Sequence, residues 1–153
     1  MVSERNFQSE MGKDFKLKIF QNTLSGEKHY ALVKNLTKND DPKYVRMHKL
    51  DITKDIFEEK NLFGDEISKS FKIIETKGTG AIVLINSDMA PNIQKIFKRR
   101  ESKDNKLELR EYGVGAQILL ELGLRKIILL SNSNKKIIAL EGFDLEIVSQ
   151  EKI

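Results

Sequence analysis

Three small sets of residues in this 153-residue chain are of types and spacings that could do chemistry. Ser131 and Lys136 bracket the polar run Asn132-Ser133-Asn134, which follows the apolar run Ile127 to Leu130. A hydroxyl and an ammonium at a strand-end loop can hold a phosphate, and they are equally at home as surface polar residues. Arg46 and His48 alternate with apolar neighbours, and Asp51 follows three positions later. His48 and Asp51 offer a metal one nitrogen and one carboxylate, and two such ligands without thiolates seldom hold a catalytic zinc. Glu108 and Arg110 place an acid and a guanidinium two residues apart, ahead of an apolar helical pattern. On a plain surface they form an exposed ion pair before a helix. A basic cluster, Lys95, Lys98, Arg99, Arg100 and Lys103, raises nucleic-acid binding. Phe97 is its one interleaved aromatic and no recognition-fold signature accompanies it, so it reads as a solvated face and no nucleic-acid partner is expected.

The elements that must position these residues are legible as periods. Phe15 to Phe20 alternates at period two, Ser25-Gly26 marks a turn, and Tyr30 to Lys34 returns, which predicts a hairpin. Tyr44 to His48 reads as a third strand. Glu66 to Glu75 carries Ile67, Phe71 and Ile74 on one helical face. Gly78-Thr79-Gly80 closes that helix, and Ala81 to Ile85 is a strand buried on both faces. Asn92 to Arg100 reads as a basic helix. Gly115 to Leu122 predicts a buried helix ended by Gly123, then Ile127 to Leu130 a doubly covered strand. Lys135 to Leu140 begins another helix and Leu145 to Val148 another strand. The fold class is therefore mixed α/β: N-terminal antiparallel strands followed by an α/β layered unit, in which strand-end loops commonly hold phosphates. Residues 1–13 read as a loose lead-in or interdomain linker and residues 14–150 as one domain.

Composition bounds the rest. Apolar residues at 39% and the absence of long charge blocks describe a globular chain rather than a disordered one. There is no cysteine, which removes disulfides and thiolate metal sites. No apolar run reaches the ~20 residues that span a bilayer, so no membrane partner is expected and the cytoplasm is the expected compartment. A net charge of +4 suits nucleotide handling, but a lysine-rich surface gives the same figure with no ligand.

The stretch Leu107–Val148 resembles GTP cyclohydrolase II, a riboflavin-pathway enzyme often fused behind dihydroxybutanone phosphate synthase. The family pattern D-x-R-x-Y-G-x-G-A-Q-I-L is matched by Glu108-Leu109-Arg110 and Tyr112 to Leu119. Its I-x-L-L-T-N-N-P-x-K is matched by Leu129 to Lys136. Upstream, His29 to Val33 repeats H-x-A-L-V and Arg46-Met47-His48 repeats R-V-H, so the resemblance runs over residues 15–150. It implies the GTP cyclohydrolase II-like fold, a proton acceptor and a nucleophile at Glu108 and Arg110, and nucleotide contacts at Arg46, His48, Ser131 and Lys136.

The same comparison shows departures. The family's three zinc cysteines fall at Asp51 and near Asn61 and Phe63. Its R-Q-E-G-R-G nucleotide loop is replaced by Asn86 to Pro91, with Asp88 as the remaining acid, and some two dozen following residues are missing. The expectation is a vestigial site: no metal, no zinc cofactor, GTP bound weakly or not at all. The domain would then be a homodimeric assembly or regulatory module for a fused or partner dihydroxybutanone phosphate synthase domain. The alternative is residual metal-independent GTP binding or hydrolysis through Glu108, Arg110, Ser131 and Lys136.

Overall fold

Period-two patterning makes strands of much of residues 12–49. The computed structural model describes residues 1–10, 12–50, 64–86, 105–133, 140 and 142–153. Strands β1 (Ser3–Ser9), β2 (Gly12–Gln21) and β3 (Lys28–Lys34) form an antiparallel meander. The expected β2–β3 hairpin turns through Asn22, whose side-chain oxygen accepts the N–H groups of Leu24 and Ser25 at 2.9 and 3.3 Å. Next come β4 (Lys43–Lys49), helix α1 (Gly64–Lys77) and β5 (Gly80–Ile85). Helix α2 (Asn105–Glu121), β6 (Lys126–Leu130) and β7 (Glu146–Glu151) complete the described elements.

All seven strands join one mixed sheet in the order β1-β2-β3-β5-β4-β6-β7. Strand β5 lies antiparallel to β3 and parallel to β4, so the sheet changes from antiparallel to parallel at its centre. Alternation along each strand divides the core in two. Val45, Met47, Ala81, Val83, Ile85, Ile127 and Leu129 face α2, while Leu32, Ile82 and Leu130 face α1 with Phe15, Phe71 and Ile74. Burial of β5 on both sides explains its uninterrupted apolar sequence.

Two expectations change. The stretch 1–13, read as a loose lead-in, contains β1, whose register runs from Ser3↔Ile19 to Ser9↔Gly12. A sheet-edge strand needs little apolar alternation. Here Glu4 pairs with Lys18 at 3.3 Å, and Phe7 stacks on Phe71 with ring centroids 6.5 Å apart. Helix α2 also begins well before Gly115, so Glu108 and Arg110 sit within it rather than ahead of it. The expected helices at Asn92–Arg100 and Lys135–Leu140 lie outside the described residues, apart from Leu140, which is buried.

Helix α2 ends as its sequence predicts. Gly123 takes φ 84°, its N–H reaches Leu120 O at 3.0 Å, and Leu124 N–H reaches Leu119 O at 3.0 Å. This paired closure satisfies two terminal carbonyls and brings two buried leucines together. Gly115 serves close approach instead: a Cβ there would run into the Met47 terminal methyl and press on Ile85 at 3.1 Å. Gly115→Ala is therefore expected to destabilise the chain by roughly 1–3 kcal/mol through overpacking, despite a helix-propensity gain of about 1 kcal/mol. In a Met47→Ala background the same change becomes neutral or stabilising. Urea unfolding of the four members of the cycle measures it.

Candidate functional site

The parallel strands β5, β4 and β6 end side by side, and of the singled-out residues that the structure describes, Arg46, His48 and Ser131 lie towards that end. Alternation along β4 turns Tyr44, Arg46 and His48 away from α2 and towards α1. Arg46 is 3% exposed. Its Nη1 donates to Leu130 O at 3.1 Å, and its Nη2 forms an ion pair with Glu66 on α1. One guanidinium thus ties β4, β6 and α1 together, and its Nε finds no partner among the described residues. His48, half-buried, follows two positions later on the same strand.

Ser131 is the first residue beyond β6 and is fully buried. Its hydroxyl accepts the Ser133 N–H at 3.1 Å, closing a small side-chain turn. Gln150 on β7 donates its amide to Ser131 O at 2.8 Å and to Ser133 O at 3.1 Å. Asn132 exchanges hydrogen bonds with the Ile153 backbone, donating at 3.1 Å and accepting at 3.0 Å. The loop is latched to β7, and its hydroxyl points into the latch. Lys136 lies outside the described residues, as does Asp51.

Arg110 sits on the other face of the sheet. It is exposed on α2 at a cleft of about 420 Å³ between that helix and the β2–β3 hairpin, lined also by Phe20, His29, Val114, Gln117 and Ile118. Glu108 lies on the first turn of α2. Its neighbour Glu111, 5% exposed, takes Lys49 at 3.0 Å and fixes the end of β4 to α2. Neither Glu111 nor His29 was singled out from the sequence as a site residue. A lone acid within the small, apolar face of α2, and a histidine within an apolar strand, were the available signals.

His29 is 2% exposed, its Nδ1 accepts the Asn86 N–H at 3.1 Å, and its Nε2 has no partner among the described residues. Burial lowers its pKa below the ordinary 6.5, and the carboxylate of Glu27 offsets part of that. The ring is therefore neutral at pH 7 with its proton on Nε2. Among the described residues, no three His, Asp or Glu side chains converge as a metal site. No helix among them is long and apolar enough to cross a membrane.

The profile of the GTP cyclohydrolase II family matches residues 1–152. The riboflavin biosynthesis protein RibBA of Chlorobium phaeovibrioides is 34% identical over 162 aligned residues, which cover 96% of this chain and 39% of that protein. RibBA of Aquifex aeolicus is 34% identical, with 91% and 38% covered, and RibBA of Cytophaga hutchinsonii 34%, with 88% and 37%. The chain spans less than two fifths of the length of these relatives.

Two measurements check the roles assigned above. Arg46→Ala should cost about 1–3 kcal/mol of stability, from the space it leaves and the unpaired Leu130 carbonyl, since half-exposed Glu66 is solvated on its own, as read by denaturant unfolding. For His29 the folded pKa lies below the unfolded one, so the folded state binds fewer protons. Its contribution is whole above pH 6.5 and erodes as pH falls from there through the folded pKa. Thermal unfolding against pH should show that slope in the parent chain and its loss in His29→Gln.

Proposed function

The chain belongs to the GTP cyclohydrolase II family, and on that premise we propose that it is a cytoplasmic riboflavin-biosynthesis domain that has lost zinc and turnover. It works as a homodimeric assembly or regulatory module for a fused or partner dihydroxybutanone phosphate synthase domain. The observation that carries this reading is a family scaffold in a chain without a single cysteine. The resemblance places the zinc ligands at Asp51 and near Asn61 and Phe63. One carboxylate, one amide and one phenyl ring do not fit a metal otherwise held by thiolates. When bound in the family, zinc brings the pKa of water from about 15.7 to about 7 and so supplies hydroxide at neutral pH. Asp51, Asn61 and Phe63 offer no thiolate to hold the metal that makes that supply.

The residues that still match the family pattern support the same reading. Arg46 is occupied by Glu66 and Leu130, and the Ser131 hydroxyl by Ser133, so both serve the scaffold. An unused domain would be expected to admit polar residues to its core, each costing roughly 1–3 kcal/mol of a total near 5–15. Instead the described strands and helices bury an apolar set on each face of the sheet, and Arg46, Lys34 and Glu111, buried beside it, are ion-paired. One observation favours the second reading, residual metal-independent GTP binding or hydrolysis through Glu108, Arg110, Ser131 and Lys136: Arg110 stays exposed beside an open cleft.

The purified chain is expected to carry no stoichiometric zinc after dialysis, to release no formate from GTP and to sediment as a dimer at tens of micromolar. Deleting this domain from a fused dihydroxybutanone phosphate synthase, or withholding it from a partner one, should lower synthase activity or stability. Elemental analysis finding about one zinc per chain, with formate release abolished by Arg110→Ala, would reject the loss of catalysis. A monomer whose deletion leaves the synthase unchanged would reject the assembly role.

A further inference from the structure

We infer that two copies of this chain clasp each other through the β2–β3 hairpin, each Leu24 seating in the cleft between α2 and the hairpin of the other copy. This rests on the reading of the chain as a homodimeric module and names the surface that makes it one. The hairpin tip is built as a fixed knob. The Asn22 N–H donates to Glu27 O at 2.8 Å, its carbonyl accepts the Gly26 N–H at 2.8 Å, and its side-chain oxygen accepts the N–H groups of Leu24 and Ser25. Gly26 supplies the left-handed φ of 76° that the turn requires. Leu24 stands at the middle of this tip, 97% exposed, more than any other large apolar residue among those described. A lone exposed leucine carries no meaning by itself. This one forms the rim of a cleft of about 420 Å³ whose lining includes Phe20, Val114 and Ile118, and leaves it unfilled. A knob already held by its own hydrogen bonds loses little freedom on docking.

The occupant that fits is a second copy. Knob and hollow lie side by side on one face, so a two-fold axis through that face seats both knobs at once and closes the assembly at two chains. Charge matches too. The cleft presents Arg110, exposed with no acidic partner among the described residues, and Glu121, while the hairpin carries Glu27 and Lys28. Docked, Glu27 of the partner subunit is matched by a guanidinium and the partner's Lys28 by a carboxylate, rim contacts that set register more than affinity. Glu121 already meets the Met1 ammonium at 2.6 Å, an exposed pair of small weight. The sheet edges are poorer surfaces for a second copy. Each of β1 and β7 has an irregular register and exposed charges, Glu4 and Arg5 on one and Glu146 and Glu151 on the other, features that discourage edge pairing.

The test is sedimentation equilibrium of the full chain and its variants. Leu24→Asp should weaken dimerisation by about a hundredfold or more, since two leucine side chains per dimer stay in water, and should leave the circular dichroism spectrum unchanged. Arg110→Glu should weaken it as well, and Glu27→Lys in the same chain should restore it. Because the chain has no cysteine, a Leu24→Cys chain mixed with a Gln117→Cys chain under mild oxidation should give the mixed covalent dimer as the main product. A dimer undiminished by Leu24→Asp, or a mixed product no more abundant than the like pairs, would overturn this interface and leave a homodimer built on another face. A parent chain that stays monomeric at tens of micromolar rejects the homodimer and this interface together. Capture of a synthase domain by such a monomer, lost in Leu24→Asp, would give the surface to that partner instead.

Discussion

A guanidinium cannot be taken into a protein interior without partners, and the carboxyl end of this sheet is arranged around supplying them to Arg46. The side chain is reached by a backbone carbonyl from β6 and a carboxylate from α1. Those partners fix where β6 ends and how α1 lies on the sheet, since either displacement would strand a buried cation. Such a strap specifies geometry more than it adds stability: a well-packed apolar replacement can be as stable, whereas a half-broken pair cannot.

The same device recurs around the sheet. Lys34, nearly buried and 5.3 Å from the centre of the Phe15 ring, reaches Glu75 on α1 at 3.1 Å, and that bond holds the Glu75 carboxyl below the usual carboxylate range. Lys49 reaches Glu111 on α2 at 3.0 Å. Each helix is tied by an ion pair to a strand end, on top of the apolar contact beneath it. Pairs with one exposed member contribute little free energy, so the apolar layers set stability and the ion pairs set registration.

This division bears on function. Matching a family's motif does not establish that the motif's residues still act on a ligand, because a buried arginine or serine can be required by the fold itself. At the strand ends, the Ser131 hydroxyl and the Gln150 amide close a loop against β7. On the α2 face, Arg110 is exposed beside open space, whereas His29 and Glu111 are buried.

Local pattern was enough to place most elements. The alternation of Phe15–Phe20, the apolar faces of Ile67, Phe71 and Ile74, the run Ala81–Ile85 and the stop at Gly123 each report burial of nearby residues, which sequence encodes directly. The motif around Tyr112–Leu119 placed the chain in its family, and the absence of cysteine leaves no thiolate for a metal. What the sequence left open depends on residues far apart in the chain. Strand β1 has too little apolar alternation to declare itself and exists because β2 offers an edge and Phe71 a surface. The insertion of β5 between β3 and β4 was not legible, because many strand orders bury the same residues. Nor was the commitment of Arg46 to Glu66, or of Ser131 to β7. A polar side chain's role is decided by the atoms that reach it, and here those atoms come from elements 20 and 84 residues away for Arg46 and from the following strand for Ser131.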